Sequence, residues 1–399
     1  MFYILVDDIK FYSIGWCKMI NSSKRVCIIR SNAVRPDSRV EKEAATLQKN
    51  GYKVMILAWD RDSDHNITKE NIVVYNQTID IFRIGCKATF GDGVKNIKPY
   101  LKFQFKQFAW LLKNRNRYDF IHACDFDTAL FSKIANFFIR KKYIFDIFDF
   151  LYGNPKNIIQ KLVKKIQIQI INRADATIIC TEERKKQIKT SKPRKLVVIH
   201  NTPIKNFNVD CSICEMKNKK TKVVYVGILQ DYRLLIEMSN FFINNKEIEL
   251  HIAGFGKYES YFKTLSQKYE NIFFYGRVSY EETLALEGKS DIMLAIYDPL
   301  IENHIYAAPN KFYESLMLGK PVIMTKGTGM SNYLSEYKFG ALIDYSLESF
   351  SYGIQYLIEN RKKWDEMGKR MNDIYEQEFS WDVMEKRLIE MYDALSKER

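Results

Sequence analysis

Residues 309–323 read Pro309-Asn310-Lys311-Phe312-Tyr313-Glu314-Ser315-Leu316-Met317-Leu318-Gly319-Lys320-Pro321-Val322-Ile323, and they carry start and stop signals for one helix. Pro309 and Asn310 suit a helix start, where a missing N–H costs nothing and a short side chain can cap. Gly319, followed closely by Pro321, is typical of a helix end. The apolar run that begins at Val322 is typical of a buried strand. The stretch therefore predicts a helix followed directly by a strand of an α/β sheet.

Glu314 is the acidic residue of this predicted helix. Two apolar pairs are spaced to pack inward: Phe312 with Leu316, and Tyr313 with Met317. The sequence therefore predicts that Glu314 lies on the rim, near backbone N–H groups that attract an anion. A carboxylate beside an anion suits a ribose, because it can accept hydrogen bonds from two neighbouring hydroxyls. The alternative is a solvated glutamate that only complements the helix dipole.

This helix and strand resemble the nucleotide-sugar segment of family 4-type (group 1) glycosyltransferases, which have the two-domain GT-B fold. The resemblance implies that Asn310, Lys311 and Glu314 bind a nucleotide diphosphate sugar, and that Lys311 and Glu314 are also catalytic. Eight positions before the second glutamate of its motif, the family has an acidic residue that contacts the transferred sugar. Tyr306 stands at that position here, so half of the paired-glutamate motif is present. The resemblance assigns Tyr306 to the donor site.

The composition is that of a soluble globular protein with room for two domains. The chain has 399 residues, of which 46% are apolar and 28% charged, and no apolar run is long enough to span a membrane. Its seven cysteines have no framework spacing. Cys211 and Cys214 form a lone C-x-x-C without a nearby histidine. We therefore expect reduced thiols in a cytoplasmic protein rather than a zinc or redox site.

Residues 1–23 are predicted to be an N-terminal extension outside the first domain. They have Asp7 and Asp8 where a signal peptide needs basic residues, and they lack a cleavage site of small residues. The first strand pattern begins only at Arg25, and Met19 is a candidate natural start.

Basic residues are concentrated in the front half of the chain. Residues 1–205 hold 38 Lys and Arg against 19 Asp and Glu, whereas the remainder holds 24 against 29. The net charges of the two parts are +19 and −5, within a formal net charge of +14 for the whole chain. Such an asymmetry indicates that the front half meets an anionic surface.

Strand and helix patterns alternate in two series along the chain, which predicts two doubly wound, Rossmann-like domains. The first series begins with a strand from Arg25, a helix from Ser38 and a strand at 53–59, and it ends with a strand at 196–199. A polar, lysine-rich linker at 204–221 separates it from the second series. With the resemblance, the pattern predicts the α/β GT-B fold, in which the two domains face a central cleft. The predicted limits are 24–205 for an acceptor-binding domain, 206–375 for a nucleotide-sugar-binding domain and 376–399 for a C-terminal helix that crosses back.

Further positions of the second domain match the donor site of the family. Gly227 ends the first strand of this domain, and Arg233 matches a basic residue of the family. The resemblance makes Arg233 both catalytic and donor-binding, and Lys311 is a candidate for a further cation that the family has nearby. The alternative for Arg233 is a solvated residue at a helix start. Gly254 and Gly256 match a Gly-x-Gly loop that lets the donor approach the backbone.

The sequence Asp119-Phe120-Ile121-His122-Ala123-Cys124-Asp125 resembles a strand of the family that ends in His-x-His. His122 keeps the first imidazole, and Cys124 replaces the second. The resemblance implies a catalytic and acceptor-binding role for His122. The alternative is a partly buried structural histidine, and the sequence alone does not separate the two.

Three more residues of the front domain are candidate acceptor ligands. Arg39 follows Asp37 and Ser38 at a helix start, a pattern that resembles one branch of the family. It is predicted to bind a phosphate there, or else to form a surface salt bridge with Glu43. Asp146 and Asp149 lie at a strand end on the same rim, where they are predicted to bind an acceptor hydroxyl or to form a turn.

Asp125-Phe126-Asp127 has the spacing of a metal-binding Asp-x-Asp, but we expect no metal. The pair follows a strand of a doubly wound domain, so it is predicted to cap a helix that starts at Thr128. Arginine, lysine and helix dipoles are expected to neutralise the diphosphate instead. No cofactor is expected besides the donor substrate, a sugar linked to UDP or GDP.

Two basic segments rich in apolar residues predict contact with an anionic membrane. Residues 95–117 hold seven basic and no acidic residues, and residues 156–173 hold five basic and none acidic. Such helices suit the anionic cytoplasmic leaflet, where each near-surface charge contributes about 1 kcal/mol. The alternative is core packing of the apolar faces and plain solvation of the lysines. We expect a cytoplasmic protein that is peripheral on the inner face of the cytoplasmic membrane.

The resemblance implies a retaining glycosyltransferase. Its implied acceptor is a lipid-linked or polysaccharide intermediate of cell-surface glycan synthesis, such as capsule, exopolysaccharide or O-antigen. Two alternatives stay open. One is a GT-B nucleotide-sugar epimerase, which Tyr306 in place of an acid makes harder to exclude. The other is a basic nucleic-acid-binding protein, which needs exposed aromatics in a basic groove; we expect no nucleic acid partner.

Overall fold

The computed structural model describes residues 24–89, 96–205 and 219–398, and these residues form two separate β-sheets. The predicted extension 1–23 and the part of the linker that contains Cys211 and Cys214 lie outside the described residues. The predicted domain limits stay predictions.

The N-terminal domain is built on an eight-stranded sheet with helices on both faces. Its strands are β1 (Arg25–Arg30), β2 (Lys53–Asp60), β3 (Thr68–Val74), β4 (Gln77–Gly85), β5 (Phe120–Cys124), β6 (Lys142–Ile147), β7 (Ala176–Ile179) and β8 (Leu196–Val198). Its helices are α1 (Ser38–Lys49), α2 (Ile97–Lys113), α3 (Phe126–Ile139), α4 (Ile158–Arg173) and α5 (Arg184–Gln187). The strand order is β3-β4-β2-β1-β5-β6-β7-β8, and every pair except β3–β4 is parallel.

The C-terminal domain is built on a six-stranded parallel sheet of order β11-β10-β9-β12-β13-β14. Its strands are β9 (Thr221–Val226), β10 (Ile248–Ala253), β11 (Ile272–Phe274), β12 (Ile292–Ala295), β13 (Val322–Thr325) and β14 (Gly340–Ile343). The helices are α6 (Leu235–Asn244), α7 (Glu259–Lys268), α8 (Tyr280–Lys289), α9 (Glu302–Ile305), α10 (Asn310–Leu318), α11 (Ser331–Tyr337), α12 (Leu347–Glu359), α13 (Trp364–Ile374) and α14 (Trp381–Lys397). A 3₁₀ turn at Arg361–Lys363 and a π-helical turn at Tyr375–Phe379 lie among the last helices.

The central stretch has the predicted form. Pro309 precedes the first residue of α10, and Gly319 follows its last residue in the left-handed conformation, with φ 64°. The strand β13 begins at Val322 and pairs with β12 and β14, so it is buried on both sides. The helix–strand unit predicted from residues 309–323 is confirmed.

The last helix, α14, crosses back to the N-terminal domain, as predicted. Its apolar side packs with α1 on one face of the first sheet, where Trp381 and Leu388 belong to the same core as Val40 and Leu47. Trp381 Nε1 also donates to Thr46 Oγ1 at 3.0 Å. The helices α2, α3 and α4 cover the opposite face of that sheet. The domains are therefore joined by a helix as well as by the linker.

The antiparallel strand β3 was not predicted. It forms a hairpin with β4 through Tyr75 and Asn76, both of which have positive φ (45° and 62°), as a tight two-residue hairpin turn requires. The first half of β3 is exposed and polar, so it lacks the apolar alternation that marks a strand. No helix of the described residues is both long enough and apolar enough to cross a membrane.

Candidate active site

A cavity of about 420 Å³ opens between the two domains and is lined by residues of both. The N-terminal domain contributes Arg39, Phe148, Asp149, Cys180, Arg184 and Asn201, and the C-terminal domain contributes Tyr225, Gly227, Ile228, Arg233, Tyr297, Ala307, Ala308, Pro309, Asn310 and Lys311. Four of these described lining residues are cationic, and one is acidic. The cavity therefore suits an anionic ligand.

Strand order explains why these residues meet. The winding of the chain reverses between β1 and β5 in the first sheet, and between β9 and β12 in the second. Ligands of doubly wound sheets bind outside the carboxyl ends of the strands at such points. Asp149 and Cys180 follow β6 and β7, whereas Gly227 and Tyr297 follow β9 and β12. Two carboxyl edges thus face each other across the cavity.

Lys311 lies on the first turn of α10 and contributes a positive charge to the cavity. Its ammonium group lies over the ring of Tyr225, 4.9 Å from the ring centroid. Gly227 leaves room for it, because a Cβ added there would lie 2.9 Å from Lys311 Nζ. Burial alone would lower the pKa of Lys311, but the phenols of Tyr297 and Tyr225 help to raise it. Lys311 is therefore cationic at neutral pH, beside backbone N–H groups that also favour an anion.

Gly254 and Gly256 lie behind this wall rather than in it. Gly254 has φ 142°, and an added Cβ would lie 1.8 Å from the carbonyl oxygen of Gly227. Gly256 approaches the backbone of Leu229 in a similar way. These glycines hold the loops after β9 and β10 together. Their predicted contact with the donor stays a prediction.

Glu314 is buried, which corrects the prediction that it lies on the rim. It is 3% exposed, because α8 covers the face of α10 that the apolar pairs leave free. Burial raises its pKa, against the opposing effects of Lys311 and of a hydrogen bond from Tyr280. Its neighbour Glu287 is also buried, and burial and Glu314 raise the pKa of Glu287 well above its usual value. The ribose contact of Glu314 stays a prediction, since Tyr280 holds its carboxylate in this structure.

Arg233 is held in the cavity wall by His304 and Tyr297, which the sequence did not single out. The guanidinium lies over the ring of Tyr297 at 4.1 Å, and Nη1 lies 2.9 Å from His304 Nε2. His304 Nδ1 lies 2.9 Å from the carbonyl oxygen of Asp298, an acceptor that requires the proton on Nδ1. Nε2 is then free to accept from Arg233. Burial lowers the pKa of His304, which favours this neutral form.

Tyr306 lies outside the cavity wall, whereas Asn310 is part of it. Tyr306 follows α9 outside the cavity wall, which is formed by the next residues along the chain. Asn310 lines the cavity and accepts a hydrogen bond of 3.0 Å from Asn201 Nδ2, so it joins the two domains. Asn310 is therefore placed where a donor can reach it, and the sugar contact of Tyr306 stays a prediction.

Arg39 lines the cavity, but its guanidinium is paired with other side chains in a buried network. Nη2 lies 2.8 Å from Asp146 Oδ1, and Nε lies 3.0 Å from Glu43 Oε1. Nη1 donates to the carbonyl oxygen of Ile199 at 2.7 Å. The pair with Glu43 was predicted on the surface, whereas both side chains are buried. Burial and the neighbouring Asp146 raise the pKa of Glu43, while Arg39 and His122 hold the pKa of Asp146 below its usual value despite burial.

His122 and Asp146 are fully buried, which corrects the expectation that they contact an acceptor directly. His122 Nδ1 lies 2.8 Å from the hydroxyl of Tyr392, and Nε2 lies 3.3 Å from Asp146 Oδ2. Tyr392 belongs to α14, so the helix that crosses back covers this part of the sheet. Neither residue lines the cavity. Asp146, which His122 contacts, instead positions Arg39, and Arg39 does line the cavity.

Asp149 lines the cavity in an ion pair with Arg184, a residue that the sequence analysis missed. Asp149 Oδ1 lies 2.8 Å from Arg184 Nη2, and Arg184 Nη1 donates to Gln187 Oε1 at 2.8 Å. Asp125 fixes the loop before Asp149: its Oδ1 accepts from the backbone N–H groups of Phe148 and Asp149 at 2.9 and 3.0 Å. The carboxylate of Asp149 is thus held in place while remaining 57% exposed.

Asp125 does not cap α3 in the predicted way. The helix begins at Phe126 rather than at Thr128, and Asp125 precedes it at φ 64° without a side-chain capping bond. Its other carboxylate oxygen pairs with Arg30 Nη1 at 2.5 Å. Burial raises the pKa of Asp127, which Ser31 and Arg30 oppose. Both carboxyl groups therefore belong to a network within the domain.

One group of described side chains has metal-ligand spacing. Potential ligand atoms of His122, Cys124 and Asp146 lie within 4.8 Å of one another. The guanidinium of Arg39 already pairs with Asp146, and burial raises the pKa of the Cys124 thiol well above its usual value. A protonated thiol beside a resident cation fits a metal ion poorly. The expectation that no metal is needed stays a prediction.

His200 joins the domains in a contact that predicts acid-sensitive stability. Its Nδ1 lies 2.9 Å from the hydroxyl of Tyr313, and burial lowers the pKa of His200 to about 3. An unfolded histidine has a pKa of about 6.5. Below that pH, His200 is protonated in the unfolded chain but stays neutral in the folded chain. Stability is fully present above about pH 6.5 and falls by about 1.4 kcal/mol per pH unit below it.

The pH dependence is measured by denaturant unfolding of the parent and of His200→Gln at pH 7 and pH 5. Between these values the parent should lose about 2 kcal/mol more stability than the variant. Equal losses in the two proteins would show that His200 is not the group responsible.

Part of the chain matches a known protein family. Residues 214–373 match the family of glycosyl transferases group 1. The matched range contains the central stretch and the wall of the cavity that carries Arg233 and Lys311. No curated protein sequence matches the chain.

Solved structures resemble almost the whole chain. Sucrose-phosphate synthase from Thermosynechococcus elongatus is 15% identical, with a TM-score of 0.70, over 93% of this chain and 99% of that one. Anabaena HepE in complex with UDP and glucose is 13% identical, with a TM-score of 0.68, over 93% and 100%. The lipopolysaccharide outer core galactosyltransferase WaaB in its apo form is 15% identical, with a TM-score of 0.60, over 93% and 99%. These likenesses confirm the predicted fold, GT-B with two Rossmann-like domains.

Proposed function

We propose that this chain transfers a sugar from a nucleoside diphosphate to a lipid-linked or polysaccharide acceptor, with retention at the anomeric carbon, because residues 214–373 match the family of glycosyl transferases group 1. One observation supports this most strongly. The cavity between the domains has cations on both walls and a single carboxylate among its described lining residues. A diphosphate supplies the complementary charge. The acceptor is proposed to be an intermediate of cell-surface glycan synthesis.

In this proposal the C-terminal wall holds the diphosphate. Lys311 and Arg233 neutralise the phosphates, and the N–H groups at the start of α10 point at the same anion. Charge that develops on the departing phosphate is stabilised by groups already in place, which is usually the largest catalytic contribution in such sites. No protein nucleophile is required. His304 keeps Arg233 in position throughout.

The N-terminal wall is proposed to meet the acceptor. Asp149 is the acidic residue of the described wall, and its exposed carboxylate can accept a hydrogen bond from an acceptor hydroxyl. Arg184 holds that carboxylate in position through the 2.8 Å ion pair. Arg39 shapes the same wall but stays tied to Asp146.

The test is a panel of UDP- and GDP-linked sugars, in which release of nucleoside diphosphate is measured without acceptor. UDP-glucose is the first donor to try, because the HepE structure contains UDP and glucose. Release of nucleotide with a sugar of retained configuration, shown by proton NMR, supports the proposal. A changed sugar still joined to its nucleotide would instead show the epimerase. No turnover with any donor, together with a gel shift of nucleic acid, would overturn it.

Activity is predicted to persist when divalent metals are removed. Lys311, Arg233 and the α10 N-terminus supply the positive charge that a metal ion would otherwise bring. Donor hydrolysis should therefore be unchanged in excess EDTA. Loss of activity that manganese restores would point to Asp125 and Asp127 instead.

The anionic leaflet of the cytoplasmic membrane is the proposed partner surface. The two basic helices, α2 and α4, lie on the same face of the first sheet. Part of the charge of α2 is used within the domain, since Lys102 pairs with Asp64 at 2.9 Å and Lys106 donates to the carbonyl of Gly85 at 2.9 Å. The α4 helix carries four lysines and arginines and no acid. We therefore place the main contact at α4.

A further inference from the structure

A groove of about 800 Å³ lies between α3 and α4, on the face of the sheet away from α1 and α14. Its walls are mainly apolar, with Ile134 and Phe137 from α3 and Leu162 and Ile166 from α4. Phe137 and Phe138 are 78% and 64% exposed, and Leu162 is 56% exposed. A contiguous apolar surface of this kind on a soluble domain marks a binding site.

Cations without partners border this groove. Arg140, Lys165 and Arg173 line it, and within the described part of the chain none of these side chains is hydrogen-bonded or ion-paired. The described lining residues include no acid. Lys133 also lines the groove, but its ammonium donates to the carbonyl of Arg173 at 2.6 Å and is already used. The groove therefore pairs an apolar interior with a free positive rim.

We propose that the groove between α3 and α4 binds the hydrocarbon chain of an anionic phospholipid, with the phosphate at the positive rim that Arg140, Lys165 and Arg173 form. This site extends the proposed membrane contact and rests on it, but it does not depend on the transfer reaction. The two basic segments of the sequence lie on α2 and α4, and neither includes α3. What the structure adds is a cavity that holds one chain rather than a face that touches headgroups.

Charge complementarity favours a lipid over a protein helix as the occupant. An apolar helix seated in the groove would supply no negative charge for the three cations at its rim. A phospholipid carries its apolar chain and its negative charge on one molecule, so both parts of the site are satisfied together. Each CH₂ group buried adds about 0.8 kcal/mol.

The position of the groove relates it to the cleft. The helix α4 forms one wall of the groove and begins just after the loop that carries Asp149. At the start of α4, Ile158 and Ile159 are exposed, as are Leu151 and Tyr152 in the loop. An apolar band therefore runs along α4 from the cavity side to the groove. A lipid held there would bring the acceptor side of the cleft to the membrane.

Binding of single lipids tests the proposal. Lysophosphatidylglycerol is titrated into the full chain below its micellar concentration, with lysophosphatidylcholine as the uncharged comparison. We expect the anionic lipid to bind at least about tenfold more tightly, a difference of about 1.4 kcal/mol. Gln169→Trp places an indole in the groove from an exposed position, and it should weaken binding by about tenfold or more.

A second variant and a control guard against misfolding. The double change Phe137→Ser and Phe138→Ser removes exposed rings that the core does not need, and it should also weaken binding by about tenfold. Tyr352→Ser alters an equally exposed aromatic on α12, in the other domain, and should leave lipid binding unchanged. Donor hydrolysis should be the same in all these proteins, so failure of the transferase proposal is seen separately.

Several outcomes would overturn the groove as a lipid site. Unchanged binding by Gln169→Trp, or equal affinity for the two lysolipids, would do so. A parent dimer that Gln169→Trp dissociates would make a second copy of the chain the occupant. Flotation with vesicles of phosphatidylcholine and phosphatidylglycerol distinguishes lipid binding in the groove from adsorption of the protein to the membrane surface. If neutralising Arg140, Lys165 and Arg173 abolishes flotation while the phenylalanine variant floats like the parent, only surface adsorption remains.

Discussion

Replacing Lys311 by alanine should lower the rate of sugar transfer by about 100- to 1,000-fold, the usual effect of removing one preorganised group that stabilises developing charge. Affinity for the nucleoside diphosphate should also fall, by about 1–3 kcal/mol, because a charged hydrogen bond is lost. The physical reason lies in the surroundings of Nζ. It lies against the ring of Tyr225 at the N-terminal end of α10, and no salt bridge within the described residues occupies it.

Steady-state kinetics and calorimetric titration with UDP and GDP measure the two effects. Lys326→Ala is the matched control: it removes an exposed lysine of the same domain that pairs with Asp344 at 3.0 Å, away from the cavity. That variant should behave like the parent. The melting temperature of each protein shows whether the fold is kept. A folded Lys311→Ala protein with parent-like transfer and nucleotide affinity would remove this lysine from the proposed mechanism.

The donor wall was largely predictable because its signals are local. Asn310 and Lys311 belong to one short stretch with its own helix start, and Arg233 follows one strand by a fixed spacing. The structure brings these three residues to one cavity. The burial of Glu314 was not predictable in the same way, since the apolar spacing of α10 shows which faces pack inward but not that α8 covers the remaining one.

The acceptor wall was harder to predict because its contacts join distant parts of the chain. His122 and Asp146 lie at strand ends, where acceptor ligands are expected. They are sealed by Tyr392, which follows His122 by 270 positions. Arg184 and His304 have no motif of their own, and their roles follow only from the residues that they hold, Asp149 and Arg233. Spacing along a chain does not reveal such partners.

The fold itself was predictable for a different reason. Buried parallel strands separated by helices leave a repeated pattern in the sequence, and both sheets follow it. The strand β3 was not predicted because it pairs at the sheet edge and is half exposed, so burial constrains little of its sequence. The groove between α3 and α4 was not predicted from the sequence for a related reason. Phe137 and Phe138 resemble core residues in the sequence, but no part of the described chain covers them.

Replacing Asp146 by alanine should destabilise the folded chain by about 3–5 kcal/mol, the usual cost of leaving a buried charge unpaired. Asp146 is fully buried and pairs with the buried guanidinium of Arg39 at 2.8 Å. Denaturant unfolding measures the change. Asp80→Ala is the control, because Asp80 forms a partly exposed pair with Lys69 at 2.8 Å, and its loss should cost about 1 kcal/mol or less.

A double variant decides whether Asp146 stabilises the fold or binds the acceptor. Changing Arg39 to methionine and Asp146 to leucine removes both charges, so much of the stability lost in Asp146→Ala should return. If Asp146 acts by holding Arg39, the acceptor KM should change alike in Asp146→Ala and Arg39→Met, while the affinity for UDP stays the same. A stable Asp146→Ala protein that loses transfer alone would instead return Asp146 to the role of a direct acceptor ligand.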